Sequence, residues 1–467
     1  MELFYQISGT VNSFVWGVPT LVLLIGTGIF ITLRLGFIQF VKFPYIMKNT
    51  LGRLFEKRTS QDGALTPIQA LTTALAGTVG TGNIAGVAGA ISLGGPGAIF
   101  WMWIAALFGM CTKYAEIILA VHYREVNDKG DFVGGPMYYI VNGLGSQWRW
   151  LGVIFSIFGC VAALGTGNMT QINTIATSIG SVFSSFNPEI SGSDMQRIYL
   201  IIGIIGAMLT ILVLFGGMQR IGNVTEKLVP IMALVYIITS IVVIITHVNA
   251  LGGVFSQIFK GAFSPSAISG GLMGVTIKQA ARAGFGRGIF SNEAGLGTAP
   301  IAHAAADVDH PVHQAMYGIF EVFMDTIVIC TLTAVAILIS GCADGFYGHS
   351  AGTDLTIMAF STTFGSRVAS IIIASCITLF AFSTLLSWSL YGVRCMEFIF
   401  GTKAIIVYQA IYVMFVVVGA TVQLSLVWEI ADTANGLMAV PNLIAVLVLS
   451  PKVVKLTKEH FKGVKSA

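Results

Sequence analysis

The run Gly77-Thr78-Val79-Gly80-Thr81-Gly82-Asn83 lies inside an apolar stretch from Leu65 to Leu93, where a plain membrane span would carry leucine and valine. Glycine and asparagine favour irregular backbone, and hydrocarbon offers no hydrogen bonds to the amides and carbonyls that a helix break frees. A break at that depth calls for a polar guest. In alternating-access carriers the guest is a solute with its coupling ion, held by the ends of half-helices. Ionisable groups inside the apolar segments are few. Lys113 and Glu116 stand three apart, and Glu321 and Asp325 four apart, each pair on one helix face. That spacing suits structural pairing of Lys113 with the acids, or a proton-carrying role for Asp325.

His303, Asp307, Asp309, His310 and His313 crowd one polar segment. Such a group can bind metal, or it can be a solvated loop leading into the helix that starts near Pro311. The six cysteines (Cys111, Cys160, Cys330, Cys342, Cys376, Cys395) contain no CxxC pair and read as small apolar packing residues without a structural disulfide. There is no HExxH motif, and no serine and histidine fall together in the apolar segments. That argues against an intramembrane enzyme.

The elements that must position these groups follow from composition. Of 467 residues 55% are hydrophobic and 10% charged, with a mean hydropathy of +0.83. A soluble chain carries nearer a quarter charged residues, so this is an all-α polytopic membrane protein. Eleven windows are long enough to cross a bilayer: 12–35, 67–92, 98–121, 150–178, 199–215, 228–246, 268–285, 312–339, 367–393, 405–423 and 427–449. Basic residues collect in alternate connections. One side receives Lys42 to Arg58, Arg124, Lys129, Arg149, Arg220, Lys227, Arg282, Arg287, Arg394, Lys403 and the lysine-rich tail, and the other only Arg197, Lys260 and Arg367. The positive-inside rule then puts the N-terminus outside and the C-terminus in the cytoplasm of a cell-membrane protein. No basic residue precedes the first apolar segment, so that segment is expected to stay as a span. The net charge of +4 reports topology and anionic headgroups rather than nucleic acid.

A second interruption is expected in 268–285, which begins Ser264-Pro265-Ser266 and continues Ser269-Gly270-Gly271-Leu272-Met273-Gly274. With 67–92 as core helix one, this is core helix six. Five spans separate equivalent positions, so the halves run through the membrane in opposite senses: a 5+5 inverted repeat with discontinuous core helices one and six, preceded by one extra N-terminal helix. The domains are 1–64 (first helix and connector), 65–450 (core, with repeats 65–247 and 248–450) and 451–467 (basic tail).

At this point the chain resembles the alanine or glycine:cation symporter family, whose architecture is that of the leucine-transporter-like carriers. Three stretches carry the resemblance: Gly77 to Val87 (GTVGTGNIAGV), Gly286 to Pro300 (GRGIFSNEAGLGTAP) and Phe380 to Ser389 (FAFSTLLSWS). They occur in order over a match running from about Leu65 to the last span.

The resemblance implies Na+-coupled uptake of a small neutral amino acid, alanine and/or glycine, with Na+ as coupling ion and no other cofactor. In the shared fold one sodium sits between the first broken helix and a hydroxyl pair, which corresponds here to Ala76, Val79 and Phe380 through backbone oxygen and to Ser383 and Thr384. Back-bonding within their own helix is the alternative for the two hydroxyls. A second sodium site in some members of the fold uses the positions of Thr78 and Asn83, which could equally touch substrate or satisfy unwound backbone. For a zwitterionic substrate the half-helix near Gly82 offers amides and a positive dipole end, and halves ending near Thr78 and Ser269 offer carbonyls. The expected substrate contacts are Thr78, Gly80, Thr81, Gly82, Asn83, Gln171, Ser269, Gly270, Gly271, Met273, Gly274 and Trp388. Gln171 could instead glue two helices together, and Met273 and Trp388 could cap the pocket or simply pack. Asn292 and Glu293 are expected to cap a helix and latch the inner gate. The expected mechanism is alternating access; a proton-coupled carrier, a channel and an intramembrane enzyme are the rival readings. The expected partners are the amino acid, Na+ and the lipid bilayer, with oligomeric state open and a monomer allowed.

Overall fold

The computed structural model describes residues 2–53, 60–61, 63–263, 276–349, 351–422 and 425–465, and is helical nearly throughout. Helices α1 (Glu2–Val15) and α2 (Val18–Arg34) open the chain. After the short helical stretches Ile38–Val41 and Phe43–Asn49 come two short helices, α3 (Pro67–Thr78) and α4 (Ala85–Gly94), and then α5 (Gly97–His122). Past a nine-residue helix, Pro136–Leu144, come α6 (Arg149–Leu164), α7 (Thr170–Phe186), α8 (Gly192–Leu214), α9 (Gly217–Thr246), α10 (Leu251–Phe263), α11 (Ile277–Asn292) and the short α12 (Ala299–His303). The rest comprises α13 (Pro311–Val322), α14 (Thr331–Ile339), α15 (Thr353–Phe364), α16 (Ser366–Phe400), α17 (Ala404–Thr421) and α18 (Ser425–Lys465). A β-hairpin, Glu125–Val126 with Phe132–Val133, follows α5.

Among the described residues nine helical segments are long and apolar enough to cross a membrane. Two of the eleven expected windows are not among them. The window 67–92 is cut into α3 and α4, of 12 and 10 residues, about 18 and 15 Å long and each too short to cross. Of the window 268–285, residues 268–275 lie outside the described residues, and α11 runs on past Phe285 to Asn292 without interruption.

Helix α5 is the axis of the bundle. Its most apolar stretch is 83% buried within the protein, against 28% for those of α8 and α9, whose exposed Leu200, Ile201, Ile204, Ile205, Ile231, Leu234 and Ile238 form a lipid-facing surface. Small residues let α11 lie close along α5: a Cβ on Gly284 would strike the Ala98 backbone and Trp101, and one on Gly288 would meet Ala105 and Met102. Caps fix the entries. Thr66 Oγ1 accepts from Gln69 N at 3.1 Å while Gln69 Oε1 accepts from Thr66 N at 3.0 Å, and Thr276 with Gln279 repeats this box at the start of α11.

The packing of α11 corrects one expectation. Gly284 lies at Ala98, Gly288 at Met102 and Ala105, and Ala294 at Gly109, so Arg282 and Arg287 sit at the end of the bundle where α4 finishes and α5 begins. Arg124 belongs to the opposite end. The two arginines therefore do not join the basic set that includes Arg124 and Lys129: they line a recess within the bundle, as described below, instead of a connection.

Candidate functional site

The first break is built by side chains that replace helical hydrogen bonds. Val79 N still donates to Leu75 O at 2.7 Å, but the Gly80 N–H turns to Asn83 Oδ1 at 2.9 Å instead of to Ala76 O. Val79 leaves helical geometry (φ −79°, ψ 88°). Asn83 is then clamped by its amide to Asp325 Oδ1 at 2.6 Å, and its own carbonyl accepts from Thr333 Oγ1 at 2.8 Å. The freed Ala76 and Val79 carbonyls accept no hydrogen bond among the described residues.

A second break lies where the sequence reading did not put it. Residues 269–274 are outside the described residues, so Ser269, Gly270, Gly271, Met273 and Gly274 receive no placement. Helix α11 instead ends at Asn292, Glu293 adopts left-handed φ of 55°, Gly295 and Gly297 take φ of 91° and 82°, and α12 resumes at Ala299, all buried. Positive φ at these two glycines suits them and few other residues. The halves pair: α4 packs on α11 and α3 on α12, and Leu65 N donates to Ala305 O while Asp307 N donates to Leu65 O, both at 2.8 Å.

Between the breaks lies a cavity of about 20 Å³ lined by Thr78, Gly80, Thr81, Gly82, Thr166, Gln171, Phe290, Ser291, Glu293, Thr384, Trp388 and Asn435, with Gly77. That is room for about one water. Gln171 donates to Thr166 O at 3.0 Å across the π-wound segment Gly165–Met169, while its Oε1 and Asn435 Oδ1 are buried without partners among the described residues. Unpartnered buried oxygens are costly, and they are what an ammonium group would satisfy. Asn168 of the π-wound segment and Asn173 of α7, by contrast, tie this stretch to α17 through Tyr412 O and Gly419 O. Trp388 closes one side and donates Nε1–H to Glu293 Oε1 at 3.1 Å. Glu293 Oε2 also accepts from Thr298 Oγ1, so this carboxylate braces the second break against α16.

Of the expected sodium ligands, Thr384 stands beside the first break, while Ser383 Oγ lies 3.3 Å from Met232 Sδ of α9. Ser383 Oγ and Thr384 Oγ1 both donate to Phe380 O, at 2.8 and 3.0 Å, and a Cβ built on Gly80 would stand 2.6 Å from Thr384 Oγ1. Back-bonding is therefore present in both, and it leaves lone pairs on the Thr384 hydroxyl beside the unwound end of α3. Three oxygen types could replace a hydration shell there.

The buried charges divide into separate clusters. Lys113 Nζ meets Glu321 Oε1 at 3.0 Å and donates to Asn292 O at 2.6 Å, which holds the C-terminus of α11. Glu321 Oε2 meets His303 Nε2 at 3.1 Å, and Gln314 bonds the other ring nitrogen. Glu116 turns away from Lys113 to Asn442. Asp325 makes no ion pair among the described residues: it accepts from Asn83, from Ser291 Oγ at 3.0 Å and from Thr326 Oγ1 at 2.7 Å, on the π-wound segment Phe323–Cys330. The polar segment 303–313 divides, with the His310 and His313 rings grouped beside His460. His303 joins Glu321, Asp307 accepts from Gln61 N, and His310 caps α13, while among the described residues no group of three could hold a metal.

Sequence reasoning missed Thr166, Phe290, Ser291 and Asn435. The signature Phe290-Ser291-Asn292-Glu293 was visible but assigned to a connection. Asn435 had no local signal, because only tertiary packing brings α18 to the breaks.

Comparison with known proteins bears on this geometry. The crystal structure of MhsT in complex with L-phenylalanine superposes with a TM-score of 0.59 over 85% of this chain and 99% of that one, at 13% identity; this establishes the fold, that of the leucine-transporter-like carriers. The sodium/alanine symporter AgcS of Methanococcus maripaludis is 46% identical over 457 residues, covering 97% of each chain. The amino-acid carrier protein AlsT of Bacillus subtilis is 37% identical, covering 99% of this chain and 93% of its own. The model of the sodium:alanine symporter family matches residues 1–467. The chain is a multi-pass membrane carrier, not an enzyme, and belongs to the sodium:alanine symporter family.

Proposed function

We propose that the protein imports a small neutral amino acid, alanine and/or glycine, together with Na+. The observation that carries this is the meeting of two helix breaks around one small cavity, with free carbonyls and hydroxyls on one side and the unpartnered oxygens of Gln171 and Asn435 on another. The amides of Thr81 and Gly82 take the substrate carboxylate, Gln171 and Asn435 the ammonium, and Trp388 and Phe290 bound the space for a short side chain. Sodium lies among Ala76, Val79, Phe380, Ser383 and Thr384.

The carrier is read as eleven spans in two inverted repeats, 65–247 and 248–450, with the N-terminus outside and core helix six broken at 293–298. Recesses at the two ends of the bundle support alternating access. One of about 420 Å³ is separated from the cavity by Phe290. The other, of about 680 Å³, is lined by Lys129, Met218 and Arg394. On the α3 side the cavity is closed by Ser387 Oγ on Thr73 O at 2.6 Å and by Gln69 on Asn223 and Glu226. Entry of one cation down a potential of 100 mV supplies about 2.3 kcal/mol.

Radiolabelled alanine uptake into proteoliposomes, with and without a sodium gradient at fixed pH and against a panel of competing amino acids, tests the reading. Saturable uphill uptake that needs sodium is the expected result. Uptake indifferent to sodium would overturn the coupling assignment, and non-saturable equilibration would point to a channel.

A further inference from the structure

Helix α18 has 41 residues and is about 62 Å long, whereas a bilayer core takes about 20 residues. Its last turns therefore lie beyond the window 427–449, and side chains hold them against the bundle. Val453, Leu456 and Thr457 are buried, and Thr457 Oγ1 hydrogen-bonds Tyr114 Oη of α5 at 3.2 Å. Phe461 packs edge-on against Tyr45 with ring centres 5.6 Å apart, beneath the Lys42 ammonium group. His460 stands in the middle of this contact. Its ring centre lies 5.2 Å from that of His310 and 4.9 Å from that of His313, and its Nε2 is buried without a hydrogen-bond partner among the described residues. His310 caps α13, its Nδ1 accepting from Val312 N at 3.2 Å. A ring nitrogen that accepts carries no proton, so this cap requires a neutral imidazole.

We propose that His310, His313 and His460 form an acid-sensitive latch, which holds the end of α18 against α5, α13 and the segment Phe43–Asn49 when neutral and releases it when protonated. Three effects of protonation act in the same sense. A second proton on His310 removes the cap acceptor and puts a positive charge at the N-terminus of α13, where the helix dipole opposes it. Protonation of His460 turns a buried nitrogen without a partner into part of a buried charge without a partner. Charged rings at these separations also repel one another. The packed elements add mostly cations: Lys42, then Lys452, Lys455, Lys458 and Lys462 of α18, and at the end of α5 His122, which feels the charges of Lys452 and His310. Against them stand Asp309 and Glu459, and Glu459 is shared with Lys455 at 3.8 Å. Burial lowers His310 below the usual histidine value despite the pull of Glu459, so the docked state favours the neutral ring. The released ring takes its proton near pH 6.5, so docking is fully present above that pH and weakens as pH falls below it. Release frees α5 and α13, which carry Lys113 and Glu321 behind the second break, and turnover falls. On the orientation proposed above, the latch senses acid in the cytoplasm.

Hydrogen exchange reads the latch directly. The full chain in nanodiscs is exchanged at about pH 7.5 and about pH 5.5, on either side of the ordinary histidine value, with rates corrected for the intrinsic pH dependence of amide exchange. Amides of residues 453–463 are expected to exchange about tenfold faster or more at the lower pH in the wild type, as for release that takes up one or more protons. The double variant His310→Asn, His460→Phe keeps a capping side chain and a ring without a titrating group at either place, and should change by less than about twofold. In proteoliposomes with a fixed sodium gradient and equal pH on both sides, wild-type alanine kcat should fall about fivefold or more over the same range with KM nearly constant, and that of the double variant by less than about twofold. Na+-dependent alanine binding shows that the variants are folded, and the single variant His310→Asn replaces the double one if the latter does not bind. Equal wild-type exchange at the two pH values, or the same acceleration in the variant, overturns the latch. An equal fall of kcat in wild type and variant overturns its link to transport. Each of these results leaves the carrier reading intact, which fails only if the wild type shows no Na+-dependent alanine binding.

Discussion

Gly80→Ala is the sharpest perturbation of the first break. The residue has φ −135°, which alanine adopts freely, so backbone strain is not at issue and the effect is steric. The new methyl would lie 2.6 Å from Thr384 Oγ1. Ordinary contact begins near 3.4 Å, so the break and α16 must separate by about 0.8 Å (3.4 − 2.6). Overpacking of this kind costs about 1–3 kcal/mol, and a misplacement approaching 1 Å in a tuned site costs on the order of a hundredfold in function. The sodium concentration for half-maximal alanine uptake in proteoliposomes is therefore expected to rise by about ten- to a hundredfold, and the apparent melting temperature to fall. Thr384→Ala removes the clashing oxygen, so the double variant should recover thermal stability but not sodium affinity. Gly86→Ala is the control, since its Cβ would meet nothing within 4 Å. A Gly80→Ala carrier with wild-type sodium dependence would refute the placement of Thr384 beside the break, and so would a double variant no more stable than the single.

Lys113→Met leaves Glu321 buried with only His303 beside it, and should cost about 3–5 kcal/mol of stability; adding Glu321→Gln should restore at least half of the loss, measured as apparent melting temperature in detergent, and additive losses would contradict the pairing. Gln171→Leu removes an orphaned buried oxygen, so stability should hold while alanine affinity falls about five- to thirtyfold; unchanged affinity in a sodium-saturated binding assay would remove Gln171 from the site. Asp325→Asn turns a donor amide toward Asn83, Ser291 and Thr326, and should cost about 1–3 kcal/mol and reduce sodium-driven uptake at least tenfold. Wild-type uptake would show that this carboxylate is dispensable.

The first break was legible because Gly77 to Asn83 interrupts an otherwise apolar window, and the structure cuts the helix there. The break at 293–298 went unread for a physical reason. Helix α11 carries Lys278, Gln279, Arg282 and Arg287, and two of these charges face a recess rather than lipid, so hydropathy ends the span at Phe285 although the helix runs to Asn292. The same arginines entered the count of basic connections on the wrong side. The glycines at 270, 271 and 274 drew attention, whereas the positive-φ glycines that shape the turn are Gly295 and Gly297. Pairing of Lys113 with Glu321 was readable, since both are long-reach charges in apolar helices, but Glu116 went to Asn442 and Asp325 to hydroxyl donors, choices set by packing 30 to 330 residues away. The π-wound segments at 165–169 and 323–330 leave no hydropathy signal.

The account's central claim is that substrate is clasped between the two breaks, and an electron cryo-microscopy structure of the carrier in nanodiscs with Na+ and alanine tests it most directly. The account predicts density for the amino acid bounded by Gly82, Ser291, Gln171 and Trp388, with an ion between Val79 and Thr384. Alanine bound elsewhere, with this cavity still closed to about one water at saturating ligand, would contradict it.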